Sequence, residues 1–273
     1  FSFNTFNTTG SFNKYFTLSI SENCTKDYKF IHIISTPTEN FCLLYFSTKM
    51  LPSQSSFDIS ATNDGTNEIY VPRTYFSSTK NKEFYLDCYC QPYCNFSISF
   101  QLVDKMHAKI SARLDFFTFD YEKNLIYFDK DEIKDKGKKL MVTASGGAKG
   151  HHGTRNNIKL ALFYVEDKDH TTQIDIDSDT MLNGAGTTFT VHERNGQYLA
   201  KLRAPINSYV NFMVRTIGSS YDLPIDGKAI YGYLQGDDTD IFNLKGFKET
   251  SKIIQVSIIV KGDIILKKSN NTI

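Results

Sequence analysis

The sequence predicts an all-β chain of tandem antiparallel β-sandwich modules, jelly-roll or immunoglobulin-like, with a third module incomplete. Three observations carry this. Short apolar or alternating runs recur along the chain, turn-forming residues separate them, and stretches of similar sequence return at module-sized intervals. Composition agrees: Phe (22) and Tyr (16) are abundant and Trp is absent, and aromatic side chains fit the half-buried surface of a sheet.

In chain order, strands are expected at residues 28–35 (YKFIHIIS), 41–47 (FCLLYFS) and 95–103 (NFSISFQLV). Further strands are expected at 139–143, 158–165, 187–192, 198–203, 209–216 and 253–260. Asn63-Asp64-Gly65, Gly146-Gly147, Asn183-Gly184, Asn195-Gly196 and Asp226-Gly227 supply the turns. Asn195-Gly196 stands between two alternating runs and predicts a hairpin. Residues 129–138 are charged nearly all round and read as a loop with at most one helical turn.

The repeat sets the organisation. Tyr15-Phe16-Thr17-Leu18 follows Gly10 at the same spacing as Ile241-Phe242-Asn243-Leu244 follows Gly236, and Leu114-Asp115-Phe116-Phe117 lies between. After the opening, KDYKFIHIIS answers KGKKLMVTAS and TSKIIQVSII, and NFCLLYFS answers NIKLALFY and DIILKK. The first two copies run on in parallel: SFDIS with QIDID, EFYLDCYC with QYLAKLRA, and NFSISFQLV with VNFMVRTI. Openings about 100–125 residues apart suit one small sandwich each. Module one is therefore set at residues 1–108 and module two at 109–222, leaving 223–273 as a linker and the first strands of module three. Three strands leave an apolar face uncovered. Two explanations fit: the sequence is a piece of a longer protein, or another chain supplies the missing strands. In the second case Ile253, Ile254, Val256, Ile258, Val260, Ile264 and Leu266 are the assembly strands of a head-to-tail array.

The opening around Asp240-Ile241-Phe242-Asn243-Leu244 and Asp115-Phe116-Phe117-Thr118-Phe119 resembles that of bacterial pre-peptidase C-terminal domains, as does the later Gly196-Gln197-Tyr198-Leu199-Ala200. Module one departs, with Lys14 in place of the aspartate and Lys82-Glu83-Phe84-Tyr85-Leu86 in place of the Gly-x-Tyr strand. The resemblance implies non-catalytic jelly-roll-like modules appended to secreted proteins, some of them calcium-stabilised.

The formal charge is +1 from 31 basic and 30 acidic residues, which gives no clustered basic excess for nucleic acid or an anionic membrane. No run of about 18 apolar residues occurs, so no membrane-spanning helix is expected. The sequence starts at Phe1, consistent with a removed targeting segment or with a fragment. Cys24, Cys42, Cys88, Cys90 and Cys94 all fall in the first module. Zinc would need two ligand knuckles and Cys90-x3-Cys94 offers one, so disulfides are the main expectation. Cys88 and Cys90 point the same way on one strand and should not pair with each other. Asn7, Asn23, Asn95 and Asn270 open N-glycosylation sequons. Cysteines and sequons together point to a secreted or cell-surface glycoprotein.

The chemical motifs are few. His151-His152 sits in a glycine-rich loop and reads as solvated. Asp175, Asp177 and Asp179 alternate as calcium ligands do, or as the solvent face of a half-exposed strand. Asp237, Asp238 and Asp240 form a second candidate calcium cluster at a module junction. Calcium is the one cofactor expectation. No nucleophile elbow, zinc-protease helix or phosphate loop occurs, so no enzyme is expected. The expected function is a structural component of an extracellular coat, fibre or adhesive stalk, partnered by copies of itself and by N-linked glycans. The alternative is a set of glycan- or matrix-binding modules of a larger secreted enzyme, with Tyr89, Tyr93, Tyr231 and Tyr233 as the aromatic candidates.

Overall fold

The computed structural model describes residues 4–7, 12–19, 28–39, 42–61, 66–73, 83–90, 94–118, 124–129, 138–146, 158–165, 171–175, 179–181, 184–191, 197–206, 208–223, 230–244, 257–258 and 265. Every assigned element among them is a strand, and the fold is all-β.

The first half contributes β1 (Asn4–Asn7), β2 (Phe12–Ser19), β3 (Phe30–Glu39), β4 (Cys42–Ser47), β5 (Ile59–Ala61), β6 (Asn67–Pro72), β7 (Glu83–Cys90) and β8 (Asn95–Val103). After the short β9 (Met106–His107) come β10 (Arg113–Phe117), β11 (Asn124–Asp129), β12 (Lys139–Gly146), β13 (Lys159–Val165), β14 (Thr171–Asp175), β15 (Asp179–Met181), β16 (Gly184–Thr190), β17 (Gln197–Arg203) and β18 (Tyr209–Thr216). β19 (Ser220–Asp222) and β20 (Ile241–Asn243) form a two-stranded parallel pair.

The first eight strands divide into the orders β1-β8-β3-β6 and β2-β7-β4-β5. The second half divides as β10-β18-β12-β16 and β14-β13-β17-β11. With β10 and β11 taken as first and second strands, both halves follow one connection, 1-8-3-6 over 2-7-4-5, which is a jelly roll. The chain is thus a structural duplication, and β3 with β12, β4 with β13, β5 with β14, β7 with β17 and β8 with β18 are the pairs that the sequence similarity matched.

Two expectations change. The similar openings are not equivalent: Tyr15 lies in β2, Phe116 in β10 and Ile241 in β20. β1 is the counterpart of β10, and β2 of β11, so the sequence match at the opening is one strand out of step. The short aromatic runs in β2 and β10 resemble each other because both supply apolar side chains to a sheet. Nor do the strands flanking Asn195-Gly196 form a hairpin, because β16 and β17 belong to different sheets. A jelly roll crosses between its sheets at this connection, and alternation in the flanking strands marks half-burial whichever partner they take.

The two halves share one sheet. β6 and β10 pair in parallel, which fuses the two four-stranded halves, with β15 added, into a nine-stranded sheet. Phe116, in register with Tyr70, packs in the second core, whereas Ile69, in register with Asp115, packs in the first. Side chains in register share a face and successive ones alternate. The two companion sheets therefore cover opposite faces of the shared sheet. Module two stands to module one as a half-turn about the long axis of the sheet plus a shift of four strands, about 19 Å.

Burial follows from these layers. β13 and β17 alternate in burial, as outer strands with one solvated face do. β12 and β18 are buried along nearly their whole length, because their second face is also covered. At the Met141 and Arg215 end that cover is the segment at 230–240, and at the Tyr209 end it is the first core.

Candidate functional site

The described cysteines converge. Antiparallel pairing of β4 with β7 sets Cys42 opposite Cys90 and Leu44 opposite Cys88. The crossing from β7 to β8 then returns Cys94 to the same place. The Sγ atoms of Cys42, Cys90 and Cys94 lie within 4.8 Å of one another, and all three residues are fully buried. Hydrogen bonds from the thiols of Cys88 and Cys90 hold the Cys42 thiol below its usual range against the opposing effect of burial. Burial pushes the Cys88 and Cys94 thiols up. Cys42 is thus the hub of the group, within reach of either Cys90 or Cys94 for a disulfide. Three thiols at this separation also match the donor chemistry of a soft metal. Cys24 lies outside the described residues.

The acidic residues at 237–240 belong to a strap across the outer face of module two. Residues 231–235 cross three strands of the shared sheet in turn. The Tyr231 carbonyl accepts from Arg215 on β18 (3.3 Å), the Tyr233 amide meets Met141 Sδ on β12 (2.8 Å), and Thr188 Oγ1 on β16 donates to Gln235 Oε1 (2.8 Å). Arg215, Met141 and Thr188 are cross-strand neighbours in one row. The chain then reverses at Gly236, whose φ of 58° a residue with a side chain adopts only with strain. On the return, Asp238 pairs with Lys139 Nζ at 2.6 Å. Asp240 grips Arg215 through both oxygens, at 3.0 and 2.6 Å. The Arg215 guanidinium also lies against the rings of Tyr221 and Phe242. Burial works against both charges of this pair, pushing Asp240 up and Arg215 down. Two of the three candidate calcium ligands therefore face protein cations, and Asp237 is exposed.

The other acidic run is divided between sheets. Asp175 ends β14 in the five-stranded sheet, Asp179 begins β15 in the nine-stranded one, and Asp177 lies outside the described residues.

The joint between modules is closed by polar as well as apolar contacts. Tyr70 stacks on His32 with centroids 4.0 Å apart, and its hydroxyl donates to the His107 carbonyl (3.3 Å) and accepts from the His107 amide (3.2 Å). Glu68 accepts from His32 (2.9 Å) and pairs with Lys109 (2.5 Å). Burial pushes Glu68 up, but hydrogen bonds from these two groups outweigh it and leave the carboxyl below its usual range. On the opposite face, Arg113, Asp115 and Asn211 form a buried network, with Asn211 Nδ2 donating to Asp115 at 2.8 Å.

Of the sequons, Asn7 and Asn95 are cross-strand partners at the β1 edge, while Asn23 and Asn270 lie outside the described residues. Ile258 is exposed; Ile253, Ile254, Val256, Val260, Ile264 and Leu266 lie outside them, as do His151, His152 and Tyr93. Tyr89 is on β7, on another sheet from the strap that carries Tyr231 and Tyr233, so these tyrosines do not make one row.

Sequence reasoning passed over Arg215, Lys139 and Asp87. Asp87 interrupts the apolar strand EFYLDCYC, and a charge there was the available signal. Nothing local tied Arg215 to Asp240. No protein-family model matches the chain, and no curated protein matches it. No helix among the described residues is long and apolar enough to cross a membrane.

Proposed function

We propose that this chain is a non-catalytic structural glycoprotein, a tandem-module component of an extracellular coat, fibre or adhesive stalk. The observation that supports this most is the joint itself. Two jelly rolls of one topology are fused edge to edge by backbone pairing, an arrangement that transmits load through a continuous hydrogen-bonded sheet rather than framing a cleft. The Asn7 sequon on the edge strand β1 and a buried thiol group able to close a disulfide fit an oxidising, glycosylating compartment.

Immunogold labelling of the source cells with an antibody to the chain tests the reading. An ordered layer or fibre outside the plasma membrane is expected, with the extracted chain gaining mobility after N-glycanase treatment. Label confined to the cytosol, on a chain unaffected by the glycanase, would overturn it.

A further inference from the structure

The sequence offers one metal-ligand knuckle, Cys90-x3-Cys94, and nothing in it marks a second. The fold supplies that second ligand source. Pairing of β4 with β7 sets Cys42 opposite Cys90, and the chain brings Cys94 back immediately before β8. The three sulfurs meet inside the first core, where all three residues are 0% exposed and all are thiols.

The spacing suits one shared ion better than covalent pairing. A disulfide draws two sulfurs to about 2 Å and strands the third in the core. Metal–sulfur bonds of about 2.3 Å instead set the ligands of one ion about 4 Å apart and use all three alike. None of the separations in this trio exceeds 4.8 Å. Cys88, diagonal to Cys42 across the same two strands, gives its thiol hydrogen bond to the Cys42 sulfur and so orients it. Sulfur donors select soft cations over hard ones such as calcium. Three sulfurs complete a trigonal copper(I) site. Zinc takes four ligands, and among the described residues no fourth Cys, His or carboxylate joins the trio.

We propose that Cys42, Cys90 and Cys94 form a site for one soft cation, best suited to copper(I), tying β4 and β7 of one sheet to the start of β8 in the other. The site goes beyond the structural reading above and adds to it a clamp between the two layers of module one.

The full chain, reduced and freed of metal, is titrated anaerobically with copper(I), and in a separate arm with zinc. The competitor is a copper(I)-selective chelator, since oxygen donors such as EDTA do not draw a soft ion. Circular dichroism checks that each preparation is folded. One copper(I) per chain is expected, held more tightly than zinc, with a raised melting temperature because the ion binds only the folded arrangement. X-ray absorption of the copper-loaded wild type is expected to count three sulfurs. Cys42→Ala, Cys90→Ala and Cys94→Ala should each lose binding and Cys24→Ala keep it. Cys88→Ala should weaken it by about 10-fold. The sulfur count is read on the wild type, so it decides the question even where a variant fails to fold. No binding, tighter zinc, a sulfur count other than three, or binding that survives loss of any one of the trio would overturn the site. So would a disulfide within the trio in the chain isolated from its source. Immunogold labelling and glycanase treatment do not respond to the ion, so failure of this site and failure of the structural reading are distinguishable.

Discussion

At Gly184 the backbone of β16 lies against that of β12 so closely that a Cβ would sit 2.0 Å from the Ala144 carbonyl oxygen and 2.7 Å from Ser145 Cα. Neither backbone atom can retreat without breaking the ladder between the strands. Gly184→Ala is expected to destabilise the chain by about 3 kcal/mol, read from denaturant unfolding. A change below 1 kcal/mol would show that β16 shifts freely. Asp87 makes the opposite point, a charge-bearing group where an apolar one would pack. It is fully buried on β7, and neither carboxylate oxygen has a hydrogen-bond partner among the described residues. Burial, and after it the negative charge of Cys42, push its carboxyl up to about 7. The unfolded chain sheds that proton near pH 4. The neutral carboxyl therefore contributes stability that is complete below about pH 4 and is lost as the pH rises through 7, on the order of a few kcal/mol. The Cys42 thiol, lowered to about 4, adds stability of the opposite slope over the same range. In thermal melts the wild-type melting temperature minus that of Asp87→Asn is therefore expected to fall between pH 4 and 8. Parallel profiles would remove Asp87 as the cause.

The strap at 230–240 is the element whose stability depends most on one contact. Arg215 is buried against two aromatic rings with Asp240 as its counter-ion, and removing one member of such a pair strands the other charge. Asp240→Ala is expected to cost about 3–5 kcal/mol. The double variant Asp240→Ala/Arg215→Met is expected to cost less than the sum of the singles, because no stranded charge remains. Additive losses would mean that the two residues act separately. Since Asp238 and Asp240 already face Lys139 and Arg215, calcium has little to gain here. Chelation with EDTA is expected to leave the melting temperature unchanged. A drop that calcium restores would assign the acidic run to the ion after all.

The modules are not beads on a string. Phe30 and Tyr70 of the first half pack in the second core, and Phe117 of the second half packs in the first. Each core lacks part of its wall without the other, and the shared sheet continues through both. Heating is therefore expected to give one cooperative transition, with calorimetric and van't Hoff enthalpies in agreement. Two separable transitions would show that the β6–β10 joint opens before either core. Tyr70→Ala removes a ring and the hydroxyl that holds His107, and should cost about 3–5 kcal/mol while preserving the single transition.

Fold class and repetition were legible in the residues because both rest on local chemistry. Alternation along β13 and β17 and the continuous apolar run of β4 each follow from a few neighbouring side chains. Strand partnership is not local. β16 and β17 look like a hairpin in sequence and belong to opposite sheets, and β2 imitates β10 although β11 is its counterpart. The cysteine group was half legible: one strand sets Cys88 and Cys90 on one face, but only the folding of β4 and the β7–β8 crossing bring Cys42 and Cys94 to them. Backbone pairing is nearly blind to side-chain identity, so the residues chose strands and their buried faces. The choice of which edges meet, and with it the fused sheet, the strap and the Arg215–Asp240 clamp, came from packing those faces together.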